Sequence, residues 1–420
     1  MPMYSSLKRI KDPTEKNRTV EKILELRAQL DRQIPAKTAT DTLLLATWNI
    51  REFGDNRNPE SLHYIAEIIS RFDLVAIQEV ANNMTGLQKV AALLGHNWDY
   101  IVTDSTEGTA GGGERMAFIY DRCKVFFRKM AGELVLPETK LINAGDKKLQ
   151  FARTPFTVAF QAGWFRFILA TVHIYYGTAS KNDPRRVEEI KTIAQFLNNR
   201  AKKEEENYII LGDFNIFNQG DDTMKALENN GFYIPNAIKQ HPTDLSSKNK
   251  YYDQIAFKLK IENNMTVFSE DKQHAGAVDF TESVYKSDEA NTYQQYFSDK
   301  YVDNKTPDEI KKYYLTNWRT FQMSDHLPLW IELKIDFSNQ YLKNIITTTQ
   351  TPTQTPTQTP TQTVTSGSAS VVYIGSKSSA VFHLASCGSL PQEQNRVFFN
   401  SIDAAVAAGS TTACSKCKPQ

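Results

Sequence analysis

Between Pro13 and Ile34 the apolar residues Val20, Ile23, Leu24 and Leu30 recur at roughly helical spacing within an otherwise polar stretch, residues 1–40. The spacing predicts one amphipathic helix, docked on the main domain or on a partner protein. From Thr42 the pattern changes to short apolar runs. They are LLLATW (43–48), LVAIQEV (74–80), MAFIYD (116–121), TPFTVAF (154–160), FRFILATVHI (165–174), NYIILGDF (207–214), DQIAF (253–257) and LPLWIEL (327–333). Each has the length and composition of a buried strand. Two helical stretches lie between them. Residues 59–71 place Leu62, Ile65, Ile68 and Ile69 on one face, and residues 183–203 place Val187, Ile190, Ala194 and Leu197 on one face with Ile193 beside them. Many strands with few helices predict two stacked sheets flanked by helices, an α/β sandwich.

The pattern stops in the Thr/Pro/Gln-rich stretch 347–370, where TPTQ repeats in tandem. Proline at every fourth position denies regular helix and sheet, and nothing apolar is available to bury. At ~3.1 Å per residue such a linker could hold two domains up to roughly 70 Å apart. The expected organisation is a helical extension over 1–40, a main domain over 41–337, a linker over 338–370 and a small domain over 371–420.

The chain has 420 residues, 40% of them hydrophobic, which suffices for a large core. Lys plus Arg number 49 against 48 Asp plus Glu, a net charge of +1. That excludes a generally basic, histone-like protein but leaves room for a local basic cleft. No apolar run is long enough to span a membrane. The start MPMYSSLKRIKDPTEKNRTVEK lacks the apolar centre of a secretory signal. Four cysteines cannot staple a chain of this length, and three of them (Cys387, Cys414, Cys417) lie near its end. A reducing, cytoplasmic setting is expected.

Candidate chemistry sits where the apolar runs stop: Asn49, Glu79, His173, Asp213, Asn215, Asp253, Asp325 and His326. A single strand-end carboxylate is usually a cap or turn residue, but strands that share a sheet can deliver several such groups to one rim. The oxygens of Asn49 and Glu79 suit a hard cation, Mg²⁺ or alternatively Mn²⁺ or Ca²⁺. Sulfur and a triple-histidine set are absent there, against a dedicated zinc site. Two histidines, each with a candidate aspartate, suit proton transfer on a phosphate ester. Arg115 and Arg153 could clamp phosphate oxygens or be plain surface arginines.

The motifs WNIREFG (48–54), IQEV (77–80), GERMAFIYD (113–121), RTPF (153–156), TVHI (171–174), GDFN (212–215), YDQI (252–255) and SDHLP (324–328) resemble the endonuclease/exonuclease/phosphatase superfamily, in its deoxyribonuclease I-like branch. The resemblance covers about 42–335, in the family's order. It implies a four-layered α/β sandwich and metal-dependent phosphodiester hydrolysis. By the same resemblance His326 is the general base, held by Asp253 or a neighbouring carboxylate. Asp213 orients water, Asn215 binds the scissile phosphate, and His173 is the second histidine. Asn49 and Glu79, with Asp325, make the metal site. The family divides its labour between the two histidines in more than one way, so the base and acid roles stay open. Ile216 and Phe217 follow GDFN where inositol phosphatases carry an aromatic–arginine pair, and YYDQI stands where abasic-site endonucleases carry RxD. DNA is therefore the expected substrate. A phosphatase or phospholipid diesterase is the alternative, and a catalytically silent nucleic-acid-binding adaptor is a second.

Two departures stand out. Residues 258–323 read as an aromatic-rich insertion, either self-packed or stacking on unpaired bases, and no cysteine pair lies in the catalytic region. In the tail, His383-x₃-Cys387 and Cys414-x₂-Cys417 supply four ligands of the kind that close a structural Zn²⁺ site, unless Cys414 and Cys417 form a disulfide or stay free. NRVFFNSIDAAVAAG with C-x₂-C-x-P is similar to the zinc domain of bacterial Ada-type proteins. That domain's methyl-accepting cysteine is His383 here, so methyl transfer is not expected. DNA contact through Lys377, Arg396, Lys416 and Lys418, or docking of a protein, remains as the tail's role.

Overall fold

The computed structural model describes residues 2–106, 112–178, 180–260, 267–349, 373–376, 379–384, 387–392, 395–399, 401–410 and 412–417. The chain divides into two units, Met1–Thr351 and Pro352–Gln420. In the first, the strands run as β1 (Thr42–Phe53), β2 (Leu74–Val80), β3 (Trp98–Val102) and β4 (Arg115–Asp121). They continue as β5 (Phe126–Glu133), β6 (Ile142–Ala144), β7 (Lys147–Leu149), β8 (Phe156–Ala162) and β9 (Phe165–His173). β10 (Asn207–Asp213), β11 (Asp253–Lys258), β12 (Ala275–Ala277) and β13 (Leu329–Lys334) follow. The main helices are α1 (Pro13–Gln33), α2 (Pro59–Ile69), α3 (Thr85–Leu94) and α4 (Pro184–Glu204). One sheet has the order β12-β13-β1-β2-β4-β3 and the other β11-β10-β9-β8-β5, while β6 and β7 form a hairpin.

Strand alternation sorts the first sheet's side chains. Leu43, Leu45, Leu74, Ala76 and Phe118 join the second sheet's core. Leu44, Ala46, Trp48, Val75 and Ile77 join the core under α1, α2 and α3. Both faces are thus covered, which explains why the strands read as continuous apolar runs rather than alternating ones. Phe118 crosses the sheet interface to Phe156 (5.7 Å) and Phe160 (5.6 Å). On the second sheet's far side Ile190, Ile193, Ala194 and Leu197 of α4 join that core. The layers are helix, sheet, sheet, helix, as the sequence leads one to expect.

Local signals start the helices. Asp12 accepts from Thr14 N and Glu15 N before Pro13 opens α1, and Asp183 caps α4 in the same way through Arg185 N and Arg186 N. The apolar face of α1 packs on its own main domain through Ile23, Leu26 and Leu30. It also supplies Arg18, two-pronged on Glu60 at 3.2 Å, and Arg27, on Glu67 at 3.1 Å. The one-faced helix expected over 59–71 is therefore buried all round from Glu60 to Ile69. Glu60 and Glu67 face α1, and Ser61 faces Tyr285 and Gln322, rather than water.

The aromatic insertion packs on itself: Tyr285, Tyr293, Tyr314 and Trp318 form one buried cluster beside α2. β3, β5, β6, β7 and β12 have no counterpart among the expected strands. β5 is a largely exposed edge strand and β12 spans three residues, so neither leaves an apolar run to read. The expected linker start at 338 is corrected, because Ser338–Thr349 is a helix, begun by Ser338 N–H donating to Asp336 Oδ1 at 2.9 Å. The TPTQ repeats lie outside the described residues.

In the second unit, β14 (Tyr373–Ser376), β15 (Ser379–Leu384), β16 (Arg396–Phe399) and β17 (Thr412–Ala413) form a sheet in the order β16-β14-β15-β17. Its apolar centre is Tyr373, Phe382, Phe399 and Ala405. Among the described residues of the whole chain, no helix is long and apolar enough to cross a membrane.

Candidate active site

Sheet register aligns three of the candidate residues. β10 runs parallel to β9 with Asp213 beside His173, and antiparallel to β11 with Asp213 beside Asp253. Neighbouring strands lie about 4.8 Å apart, so the three side chains start within reach of one another. Gly212 permits the close approach, since a Cβ there would stand 2.1 Å from the Val172 carbonyl oxygen.

His326 arrives from the far end of the insertion. Its Nδ1 lies 2.8 Å from Asp253 Oδ2, and its Nε2 lies 3.8 Å from Asp213 Oδ2. Of the carboxylates considered in the sequence, Asp253 is the one that holds this ring. Ser324 Oγ accepts from His326 N at 2.9 Å and donates to the Asn49 carbonyl at 2.6 Å. Trp48 Nε1 donates to the His326 carbonyl at 2.9 Å. These bonds tie the SDH loop to β1 of the other sheet. Burial opposes a charged His326 ring, but Asp253 and Asp213 outweigh it and hold its pKa well above the ordinary histidine value.

His173 faces Asp213 from the other side, with Nε2 3.5 Å from Asp213 Oδ2. Its Nδ1 lies 3.0 Å from Glu114 Oε2. Glu114 is gripped by Arg153 through Nε at 2.6 Å and Nη2 at 3.1 Å. Burial would raise the Glu114 pKa, but His173 and Arg153 pull it down to about 2. Arg153 thus spends its fork on Glu114. Arg115 is engaged by the Thr103 carbonyl (2.8 Å), Asp104 (3.2 Å) and Asn82 (3.0 Å). Both guanidiniums hold protein groups here rather than standing free for phosphate.

Asn49 Nδ2 donates to Glu79 Oε1 at 2.9 Å and to Asp213 Oδ2 at 3.1 Å, which leaves Asn49 Oδ1 buried without a partner. An orphaned carbonyl oxygen beside carboxylates is a donor awaiting a cation, so Asn49 and Glu79 fit a hard divalent metal. Glu79 (φ 59°), Asn215 (φ 53°) and Glu52 (φ 42°) are held left-handed, a strain of about 1–3 kcal/mol each that clusters at this rim. Glu52 N donates to Glu79 Oε2 at 3.0 Å. Asn215 donates its side-chain amide to the Ile174 carbonyl at 2.8 Å. Asp325, also expected in the metal set, pairs with Arg51. Its carboxylate is 43% exposed, lies 3.9 Å from Arg51, and belongs to none of the close ligand groups among the described residues.

Residues 46–247 match the Endonuclease/Exonuclease/phosphatase family. The matched segment contains Asn49, Glu79, His173, Asp213 and Asn215, so the chain is similar to this family over that part. Its similarity to curated proteins includes a deoxyribonuclease of Thioalkalivibrio sp. (strain K90mix), 29% identical over 56% of this chain and 62% of that protein. Another is deoxyribonuclease gamma of Mus musculus, 26% identical over 42% of this chain and 56% of that protein. The chain spans less than two thirds of the length of these relatives. A solved family protein from Leptotrichia buccalis C-1013-b is 15% identical, with a TM-score of 0.45 over 70% of this chain and 100% of that one.

Two residues that support this candidate site escaped the sequence reading. Glu114 sits inside GERMAFIYD, yet only its contact with His173 gives it meaning. Arg57 is buried and donates to the carbonyls of Glu52 (2.9 Å) and Arg51, pinning the strained turn behind Glu79, and burial lowers its pKa to about 10. Position along the chain marks neither one.

In the tail, β15 carries His383, and Cys414 N–H donates to the Phe382 carbonyl at 2.9 Å. The ligand atoms of His383, Cys387, Cys414 and Cys417 all lie within 4.8 Å of one another. The cysteines are free thiols, and the set is compatible with a small zinc-binding domain. Arg396 donates to the Pro391 carbonyl and Lys416 to Ser389 Oγ, both at 2.9 Å. Lys377 and Lys418 lie outside the described residues.

Proposed function

We propose that this protein is a divalent-metal-dependent nuclease that hydrolyses DNA phosphodiesters. One observation carries the reading: the Asp213 carboxylate lies within 4 Å of two imidazoles, and Asp253 backs one of them. Asp213 orients the attacking water. One imidazole takes the water's proton and the other serves the leaving oxygen, a pair of transfers worth about 10²–10⁴-fold each. Asp253 and Glu114 fix the two rings, and Arg153 acts through Glu114. Asn215 is the candidate contact to phosphate.

Asn49 and Glu79 would hold Mg²⁺, which supplies positive charge to the phosphate oxygens as negative charge builds there. The similarity to two deoxyribonucleases supports DNA as the substrate class. The tail cluster is assigned to a structural Zn²⁺, with DNA contact through Arg396 and Lys416. Plasmid incubated with the purified protein and Mg²⁺ should be nicked, while EDTA or His326→Ala should stop the cutting. Intact plasmid together with turnover of small phosphate monoesters or lipid head groups would replace this reading by a phosphatase or lipid diesterase.

A further inference from the structure

Base stacking was one sequence expectation for the 258–323 insertion, but Tyr285, Tyr293, Phe297, Tyr314 and Trp318 are buried, and Tyr296, Tyr301 and Tyr313 are half-buried and pack on them or on one another. A different set of rings reaches the active-site rim. Tyr252 precedes Asp253 and lies over the His326 ring at 5.3 Å and 30°. Phe217 meets Tyr252 edge-on at 5.5 Å. Tyr176 lies against Phe217 at 6.3 Å and 29°, and is 42% exposed. Each ring sits within three residues of a candidate catalytic group: His173, Asn215 or Asp253. The strip therefore runs outward from His326 and ends in solvent.

The outermost ring is held in place. Arg186 is fully buried, and its guanidinium donates to the carbonyls of Tyr175 (3.0 Å), Ser180 (2.9 Å) and Tyr176. Its charge also lies 5.2 Å from the Phe217 centroid. Burying a cation is costly, and here its donors all secure the loop that presents Tyr176. Lys250 Nζ donates to the Tyr252 hydroxyl at 2.7 Å and lies 4.8 Å from the Phe217 centroid, which puts a positive charge beside the rings. A fixed exposed aromatic next to a lysine matches a base stacked beside its own phosphate.

We propose that Tyr176, backed by Phe217 and Tyr252, stacks an unpaired base beside the scissile phosphate, so that single-stranded DNA is preferred over duplex. The inference rests on the nuclease reading. In a duplex both faces of a base are covered by its neighbours, and reaching Tyr176 requires unstacking it, whereas a single strand offers the face at little cost.

The test uses the full chain with its metals and two cleavage-resistant phosphorothioate strands of equal length, one oligothymidylate and one lacking bases. The unaltered protein should bind the thymidylate about tenfold more tightly, the worth of one stacked base. Tyr176→Ala should abolish that preference, and Tyr176→Trp should keep it. Equal binding of both strands, or an undiminished preference in Tyr176→Ala, would overturn the proposal. A second reading is the single-strand to duplex ratio of kcat/KM, which should fall about tenfold in Tyr176→Ala. Base-dependent binding without any plasmid nicking would refute the nuclease reading alone. Nicking without base dependence would refute the stacking alone.

Discussion

Asn49 and Glu79 come from neighbouring strands of a sheet whose core closes without them. His383, Cys387 and Cys414 instead make up much of what their small unit buries among its described residues, with Cys417 half-buried beside them. Around the first pair, two large apolar clusters fill both faces of the sheet. Around the second set, the apolar centre is four residues. The difference teaches where a metal's binding energy goes. At the rim, packing and a ladder of hydrogen bonds already hold the donors, so the proposed cation would serve charge rather than fold. In the tail, the apolar centre among the described residues is small, so under the proposed zinc assignment metal binding and folding would be one event.

The largest test of that contrast is metal removal from the tail. Structural zinc contributes on the order of 10 kcal/mol or more to such small units. Cys414→Ser should therefore abolish amide protection over residues 373–417 while β1, β10 and β13 stay protected in hydrogen exchange. A tail that keeps its protection without metal would break the comparison.

Next in size is His326→Ala, expected to lower turnover by about 10²–10⁴-fold. The thermal midpoint of the first unit should move by only a few degrees, because the ring belongs to the rim. Full activity in a folded variant would remove His326 from the catalytic set.

Glu114→Gln comes third. It keeps the shape but removes the charge that joins Arg153 to His173, and a loss of about 10–100-fold in kcat is expected, as for other residues that orient a reacting group. Unchanged kcat would reduce the Arg153–Glu114 pair to plain structure.

The smallest effect expected is on stability when the rim loses its own cation. At ten times its Kd, Mg²⁺ adds only about 1.4 kcal/mol to the folded state. Calorimetry of the first unit's transition with and without Mg²⁺ should show a shift of that order. A collapse of the transition without Mg²⁺ would mean that rim and tail are built alike.

Much of the fold was legible because the central strands are buried on both faces and so read as apolar runs. β5 and β12 were not, since an exposed edge strand and a three-residue strand leave no such run. The candidate site was legible as residue types at strand ends, ordered as in a known family. What those positions do to one another was not. Sequence marks Arg153 as a phosphate clamp as readily as the partner of Glu114, and it ranks Asp325 beside Glu79 although the two are not grouped.

By itself the sequence determined the layered α/β class, the helix starts at Asp12 and Asp183, the family resemblance and the four-residue His/Cys set of the tail, because those features depend on near neighbours and local spacing. Only the tertiary structure decided that α1 covers α2, that Asp253 holds His326, that Glu114 links Arg153 to His173 and that Tyr285, Tyr293, Tyr314 and Trp318 of the insertion pack into one buried cluster. Each of these pairs residues tens to hundreds of positions apart, and such contacts exist only once two sheets have closed on each other and the strand register has chosen which side chains share the rim.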